Sequence, residues 1–75
     1  MNFTVHKGKR YEAAIHLGLF ESVASNDAVA EKFRAAGFTD VAVTGSGHSR
    51  TAVGTWPGED ATAPLPSEVT SVRVL

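Results

Sequence analysis

The sequence predicts an α+β domain in which one helix lies on one face of a mostly antiparallel sheet of four to five strands. Residues 26–36 carry apolar side chains at three- and four-residue spacing, which is typical of an amphipathic helix. Several other segments alternate apolar and polar residues, as half-buried strands do. Short turns join these segments, so neighbouring strands are expected to be antiparallel. The predicted order of elements is ββαβββ.

The helix has recognisable signals at both ends. Ser25 or Asn26 can cap the first turn by accepting a hydrogen bond from a free backbone amide. Gly37 suits the left-handed position that ends a helix, and Phe38 can then fold back onto the last turn. One face of the helix is apolar and must be buried against another layer. Its residues are Val29, Ala30, Phe33 and Ala36.

The first part of the chain predicts a hairpin. Residues 2–6 alternate in polarity, and a polar turn centred on Gly8 would return the chain into a second strand at residues 11–19. That second segment has the strongest strand pattern in the sequence, with Glu12 and His16 on its polar face. Its other face carries Tyr11, Ala13, Ile15, Leu17 and Leu19.

The second part of the chain predicts three further segments. Residues 39–44 and 50–56 are rich in β-branched residues and flank the glycine-containing turn 45–49, which predicts an antiparallel pair. Residues 57–68 contain all three prolines and predict an irregular loop. A final strand is expected at residues 69–75.

Composition limits the kind of protein this can be. A length of 75 residues with 43% hydrophobic residues indicates one folded domain. The net charge of −1 provides no field for nucleic acid, which is therefore not an expected partner. The absence of cysteine excludes disulfides and cysteine-based zinc sites. Apolar runs too short for a membrane span, and a start unlike a signal peptide, predict a soluble cytoplasmic protein without membrane contact.

No motif in the sequence predicts an enzyme, a cofactor or a metal site. The glycine-rich stretch 44–50 leads into a strand and is not followed by GKS or GKT, so it is interpreted as a hairpin turn. His6 and His16 could be neighbours across the predicted hairpin, but zinc requires three or four ligands at one point. Glu59 and Asp60 are adjacent on a loop, whereas a catalytic carboxylate pair must face across a cleft.

The predicted sheet is larger than the helix that covers it. A helix over residues 26–36 is about 16 Å long and about 10 Å across, whereas five strands span roughly 20 Å. The remaining surface must be covered by the proline-rich loop, a second copy of the chain or a ligand. If Val53 points to the helix, Trp56 lies on the uncovered face, where an exposed indole marks a contact site. The candidate partner surface comprises Arg50, Trp56, His16 and Glu12.

Residues 11–56 are predicted in the order strand, helix, strand, strand, and they contain IHLGLF (15–20), the Asn26 and Ala28 opening of the helix, FRAAGF (33–38) and SRTAVGTW (49–56). This order and these features make that stretch resemble the SPOR domain, a bacterial module. That resemblance implies binding of peptidoglycan glycan strands that lack stem peptides, across the open sheet face near Arg50 and Trp56. The family has a second helix before its final strand, where this chain carries its prolines.

The sequence as a whole favours a small non-enzymatic binding or structural accessory domain. It is expected to act through self-association as a homodimer or through a protein partner, because part of its sheet lacks a covering layer. A SPOR-like glycan-binding module is the alternative that the resemblance supplies.

Overall fold

The computed structural model describes residues 2–19 and 21–75, and within them it confirms the α+β class with one α-helix and antiparallel sheets. A short 3-10 helix, Glu21–Val23, precedes the helix α1, Asn26–Ala36. The strands are β1 Asn2–Val5, β2 Arg10–His16, β3 Thr39–Ser46, β4 Ser49–Thr55, β5 Ala61–Pro64 and β6 Val69–Val74. Among the residues described, no helix has the length and apolar character needed to cross a membrane.

The strands form two separate sheets. The main sheet has four antiparallel strands in the order β3-β4-β2-β6, and β1 and β5 form a two-stranded antiparallel ribbon. The predicted β3–β4 hairpin is confirmed, and it closes through Gly47, which has φ 64°. Helix α1 packs over β3 and reaches only the near side of β4. The other half of that sheet face is left to the ribbon.

The predicted hairpin between the first two strands is wrong, because β1 pairs with β5 and not with β2. After β1 the backbone is drawn toward the distant segment, where the Lys7 amide donates to Asp60 Oδ1 at 2.8 Å and the Gly8 amide donates to the Trp56 carbonyl at 2.7 Å. The His6 amide meanwhile donates to the Tyr11 hydroxyl at 2.7 Å. These contacts turn β1 out of the plane of the main sheet.

Two other predicted boundaries need correction. Residues 57–68 are not wholly irregular, since Ala61–Pro64 forms the strand β5. Proline is tolerated there because β5 pairs on one side only and Pro64 is its last residue. The strand predicted over residues 11–19 ends at His16, and one further bond in the same register, from the Leu17 amide to the His48 carbonyl at 2.7 Å, closes its pairing with β4.

The helix signals are confirmed in detail. The Ser25 hydroxyl accepts a hydrogen bond from the Ala28 amide at 3.1 Å, as an N-cap does. Gly37 has φ 115°, and the Phe38 amide donates to the Phe33 carbonyl at 3.1 Å. The two phenylalanine rings meet edge to face at 6.1 Å, which supplies the apolar contact of the C-terminal cap.

The buried core lies at one end of the layer between α1 and the main sheet. Ile15, Leu17, Val29 and Ala52 form its centre, and Phe33 packs against it from the helix. The middle of the sheet face carries only small side chains, and this leaves space between the helix and the ribbon.

Candidate functional site: an apolar cleft

An apolar cleft of about 260 Å³ lies between α1, the main sheet and the ribbon. Its floor is the directly paired residues Ala13 and Ala52, which are both buried. Larger apolar side chains form its walls. These are Phe3, Tyr11, Phe33, Phe38, Trp56 and Leu65.

The cleft exists because two covering elements lie on either side of a floor of small residues. The helix covers β3, and the ribbon is held over β2 by Phe3, whose ring meets Tyr11 edge to face at 5.5 Å. Between them, Ala13 and Ala52 are too short to fill the layer, which is about 10 Å thick in packed proteins. Leucine at either position would occupy part of this space.

The mouth of the cleft carries little net charge. Lys32 and Ala36 are exposed on the helix side, and Pro64 and Pro66 are exposed on the side of the ribbon. Glu68, which is half-buried, also lines the cleft and has the opposite charge to Lys32. The lining therefore suits an uncharged apolar group, since a buried charge without a partner is costly.

The volume of the cleft sets the size of such a group and the benefit of filling it. A cavity of about 150 Å³ accepts benzene, so 260 Å³ leaves room for about ten carbon atoms. An occupant that binds only the folded state would add to the stability of the domain in proportion to its affinity and concentration.

Trp56 forms a wall of the cleft at the end of the helix. Its ring meets Phe38 edge to face at 5.1 Å and packs over Gly37, and its Nε1 donates to the Glu59 carbonyl at 2.7 Å. The prediction of an exposed Trp56 assumed that Val53 points to the helix. In the structure Val53 lies on the other face, which points away from the helix. The indole is therefore half-buried on the helix side.

Arg50 is buried, with an exposed fraction of 6%. Its Nε donates to the Gly47 carbonyl at 3.1 Å, and its Nη atoms donate to Asn26 Oδ1 and to the Ser22 carbonyl, both at 2.9 Å. The guanidinium thus joins the β3–β4 turn to the 3-10 helix and to the start of α1. Because the side chain is buried and bonded within the fold, it is not presented to a ligand at the surface.

His16 and Glu12 lie on the opposite face of the sheet from Arg50 and Trp56. Glu12 Oε1 accepts a hydrogen bond from Arg73 Nε at 2.8 Å, and the His16 ring stacks on His48 with centroids 5.8 Å apart. The structure therefore divides the four residues of the candidate surface between two faces. Of the two on the helix side, Trp56 is part of the cleft wall and Arg50 is part of a buried hydrogen-bond network.

The suggested proximity of His6 and His16 is not observed. His6 Nδ1 lies 3.0 Å from Asp60 Oδ2, in the turn that joins β1 to the rest of the chain. This hydrogen bond, and that from the Lys7 amide, lower the pKa of the Asp60 carboxyl. Within residues 2–19 and 21–75, no group of three or more His, Cys, Asp or Glu side chains could hold a metal ion.

The floor residues Ala13 and Ala52 were not recognised from the sequence. Each lies on the apolar face of a predicted strand, where a small residue is a weak sign of an unfilled position. The sign becomes clear only when β2 and β4 are paired and the two alanines prove to be opposite each other. That pairing joins segments separated by the whole helix.

Comparison of the chain with protein-family models, with curated proteins and with solved structures gave no match. The SPOR resemblance therefore stays a prediction. In the segment where that family has its second helix, this chain has the strand β5, Ala61–Pro64. Arg50, which the resemblance places beside a glycan, is bonded within the fold.

Proposed function

We propose that this chain is a small non-enzymatic binding domain that receives an apolar anchor side chain of a protein partner in the cleft between α1, the main sheet and the ribbon. The observation that carries the proposal is the cleft itself, with a volume of about 260 Å³ and an almost wholly apolar lining. Buried aromatic and aliphatic anchors in such pockets supply most of the binding energy of many protein interfaces.

The mouth of the cleft favours a protein over a free small molecule. Ala36, Pro64 and Pro66 are exposed around the opening and would be covered by the surface that surrounds an inserted side chain. An apolar centre with a rim of neutral contacts is the usual anatomy of a protein interface. Lys32 stands at the same rim, where a partner's polar groups could meet it.

The chemistry of the lining supports binding over catalysis. The ionisable side chains among the cleft residues are Lys32, Glu68 and Tyr11. The Tyr11 hydroxyl is already occupied by the His6 amide at 2.7 Å, and Lys32 stands in solvent at the mouth. General acid–base chemistry needs groups that converge on one reacting atom with matched proton affinities. Most of the lining is apolar and cannot exchange a proton, which favours binding.

The experiment titrates the protein with uncharged mimics of anchor side chains, N-acetyl-tryptophan amide and N-acetyl-leucine amide, and follows amide shifts by NMR. We expect saturable shifts concentrated on β2, β4 and the last turn of α1, and little response to N-acetyl-glutamate. Ala13→Leu, which partly fills the cleft, should weaken binding at least about tenfold, which is about 1.4 kcal/mol. Ala14→Leu places the same change on the opposite sheet face and should leave binding unaltered.

Three outcomes would count against the proposal. If naphthalene binds in the cleft but the amino-acid amides do not, the site is one for free small molecules. If Ala13→Leu and Ala14→Leu reduce binding equally, the mimics do not enter the cleft. If glycan strands without stem peptides bind, and Trp56→Ala abolishes that binding while Ala13→Leu does not, the SPOR-like alternative is favoured.

A further inference from the structure

The main sheet has two edges, and only one of them is protected. At β3, Asp40 has φ 53° and the ladder shifts register between Thr39 and Ala42, so a bulge interrupts this edge. At the other end of β3 the Gly45 carbonyl already accepts a hydrogen bond from Asn26 Nδ2 at 3.1 Å. Bulges and capped groups of this kind prevent edge-to-edge pairing.

At the opposite edge, β6, the outward backbone groups have no hydrogen-bond partner among residues 2–19 and 21–75. The Leu75 amide donates to the Arg10 carbonyl at 2.8 Å, which fixes the phase of the bonding between β6 and β2. Because bonded and non-bonded pairs alternate along an antiparallel ladder, Val72 and Val74 direct their N–H and C=O groups away from β2. The sequence of β6, VTSVRV, has neither proline nor lysine to block another strand.

Apolar side chains accompany these groups. Val74 and Leu75 are each 57% exposed, although both are large aliphatic residues at the edge of the sheet. Val72 and Val74 share the helix-side face with Tyr11 and lie beside Phe3 along a shallow groove between β6 and the ribbon. A strand added at this edge would cover that apolar strip while it satisfies the backbone.

We propose that β6 pairs antiparallel with β6 of a second copy, which would join the two main sheets into one of eight strands about a two-fold axis at Val72. In that register Val72 lies opposite its own counterpart, and Arg73 lies opposite the partner's Ser71. An axis at Arg73 would bring two like charges face to face and is disfavoured. Arg73 is the one charged residue of β6, so an axis at Val72 avoids the repulsion that an axis at Arg73 would create.

Val72 borders both this edge and the cleft, whereas Val74 borders only the groove at the edge, so substitutions at Val74 test the interface separately from the cleft. A single added strand pair buries less than about 1,200 Å², which is the range of weak, transient complexes. The dimer should therefore be sought by sedimentation equilibrium from about 5 µM to about 500 µM, since mass action decides its population. We expect the apparent mass to rise from one chain to two over this range.

Two substitutions at one exposed position test the geometry. Val74→Pro removes an outward N–H without breaking the bonds between β6 and β2. Val74→Lys adds a charge to the edge. Both substitutions should abolish the rise in apparent mass. Val23→Lys changes a valine that is 86% exposed in the 3-10 helix, away from the edge, and should leave the rise intact. Circular dichroism and urea denaturation verify that each variant is folded.

Hydrogen exchange provides a second readout. At high concentration the amides of Val72 and Val74 should be protected in the wild type and should lose that protection on dilution. A wild type that stays monomeric throughout, or a dimer that Val74→Pro leaves unchanged, would overturn the proposal. A dimer that also forms with Val74→Lys but is lost with Val23→Lys would place the interface elsewhere and would equally overturn it.

Discussion

Replacement of Ala13 by leucine tests whether the cleft is an unfilled part of the core. Ala13 lies at the floor, opposite Ala52, and its side chain points into the space of about 260 Å³. Leucine adds three carbon atoms, worth about 0.8 kcal/mol each when buried, less about 0.5–1 kcal/mol of rotamer entropy. The net expectation is a stabilisation of about 1.5–2 kcal/mol, which for a domain of this size raises Tm by about 10 °C.

The assay is urea denaturation and thermal unfolding of Ala13→Leu beside Ala14→Leu. Ala14 is half-buried on the opposite sheet face, where nothing covers it, and its substitution should change the free energy of unfolding by no more than about 0.5 kcal/mol. If the layer between helix and sheet is instead close-packed in solution, Ala13→Leu overpacks it and destabilises the protein by about 1–3 kcal/mol. That result would refute both the open cleft and the function inferred from it.

Three further predictions concern the surrounding structure. Arg50→Met should destabilise by about 3 kcal/mol, because the Gly47 and Ser22 carbonyls and Asn26 Oδ1 lose their shared charged donor. Arg73→Met removes an exposed ion pair and should cost less than about 1 kcal/mol in the same denaturation assay. Gly37→Ala should lower the free energy of unfolding more than Gly47→Ala does. Both glycines have positive φ, but only at Gly37 would a Cβ lie 3.0 Å from a carbon of the Trp56 indole. Equal losses of stability would show that this contact is unimportant. The pKa of Asp60 is lowered on folding, so its contribution to stability is present above its ordinary value of 3.8 and is lost as pH falls through the folded pKa. Asp60→Asn should flatten the dependence of the unfolding free energy on pH in the acid range where carboxyl groups titrate. Unfolding curves measured at intervals from neutral pH to about pH 2 would reveal this.

The candidate site was only partly predictable. Trp56 was recognised from the sequence as a contact residue, and it does line the cleft, but from the helix side. Arg50 shares a strand face with it, and its charge suggested a surface role, but the side chain is buried and its guanidinium is bonded within the fold. The sequence around a charged residue in a strand does not show whether that residue will bond water or distant groups of the fold. For Arg50 the distant groups are the Ser22 carbonyl and Asn26 Oδ1.

The sequence by itself determined the helix and the β3–β4 hairpin, because the interactions that define them are local. Ser25 bonds an amide three residues away, Gly37 ends the helix by its own backbone conformation, and Gly47 closes a tight turn. Each of these signals lies within the few residues whose conformation it sets.

Only the tertiary structure decided where β1 pairs and whether the core is filled. Alternation in residues 2–6 predicts a strand but carries no information about its partner, and the pairing of Asn2–Val5 with Ala61–Pro64 depends on contacts across most of the chain. The cleft likewise depends on Ala13 and Ala52 meeting under a gap between helix and ribbon. Volume is a property of packed elements, so no single segment could disclose it.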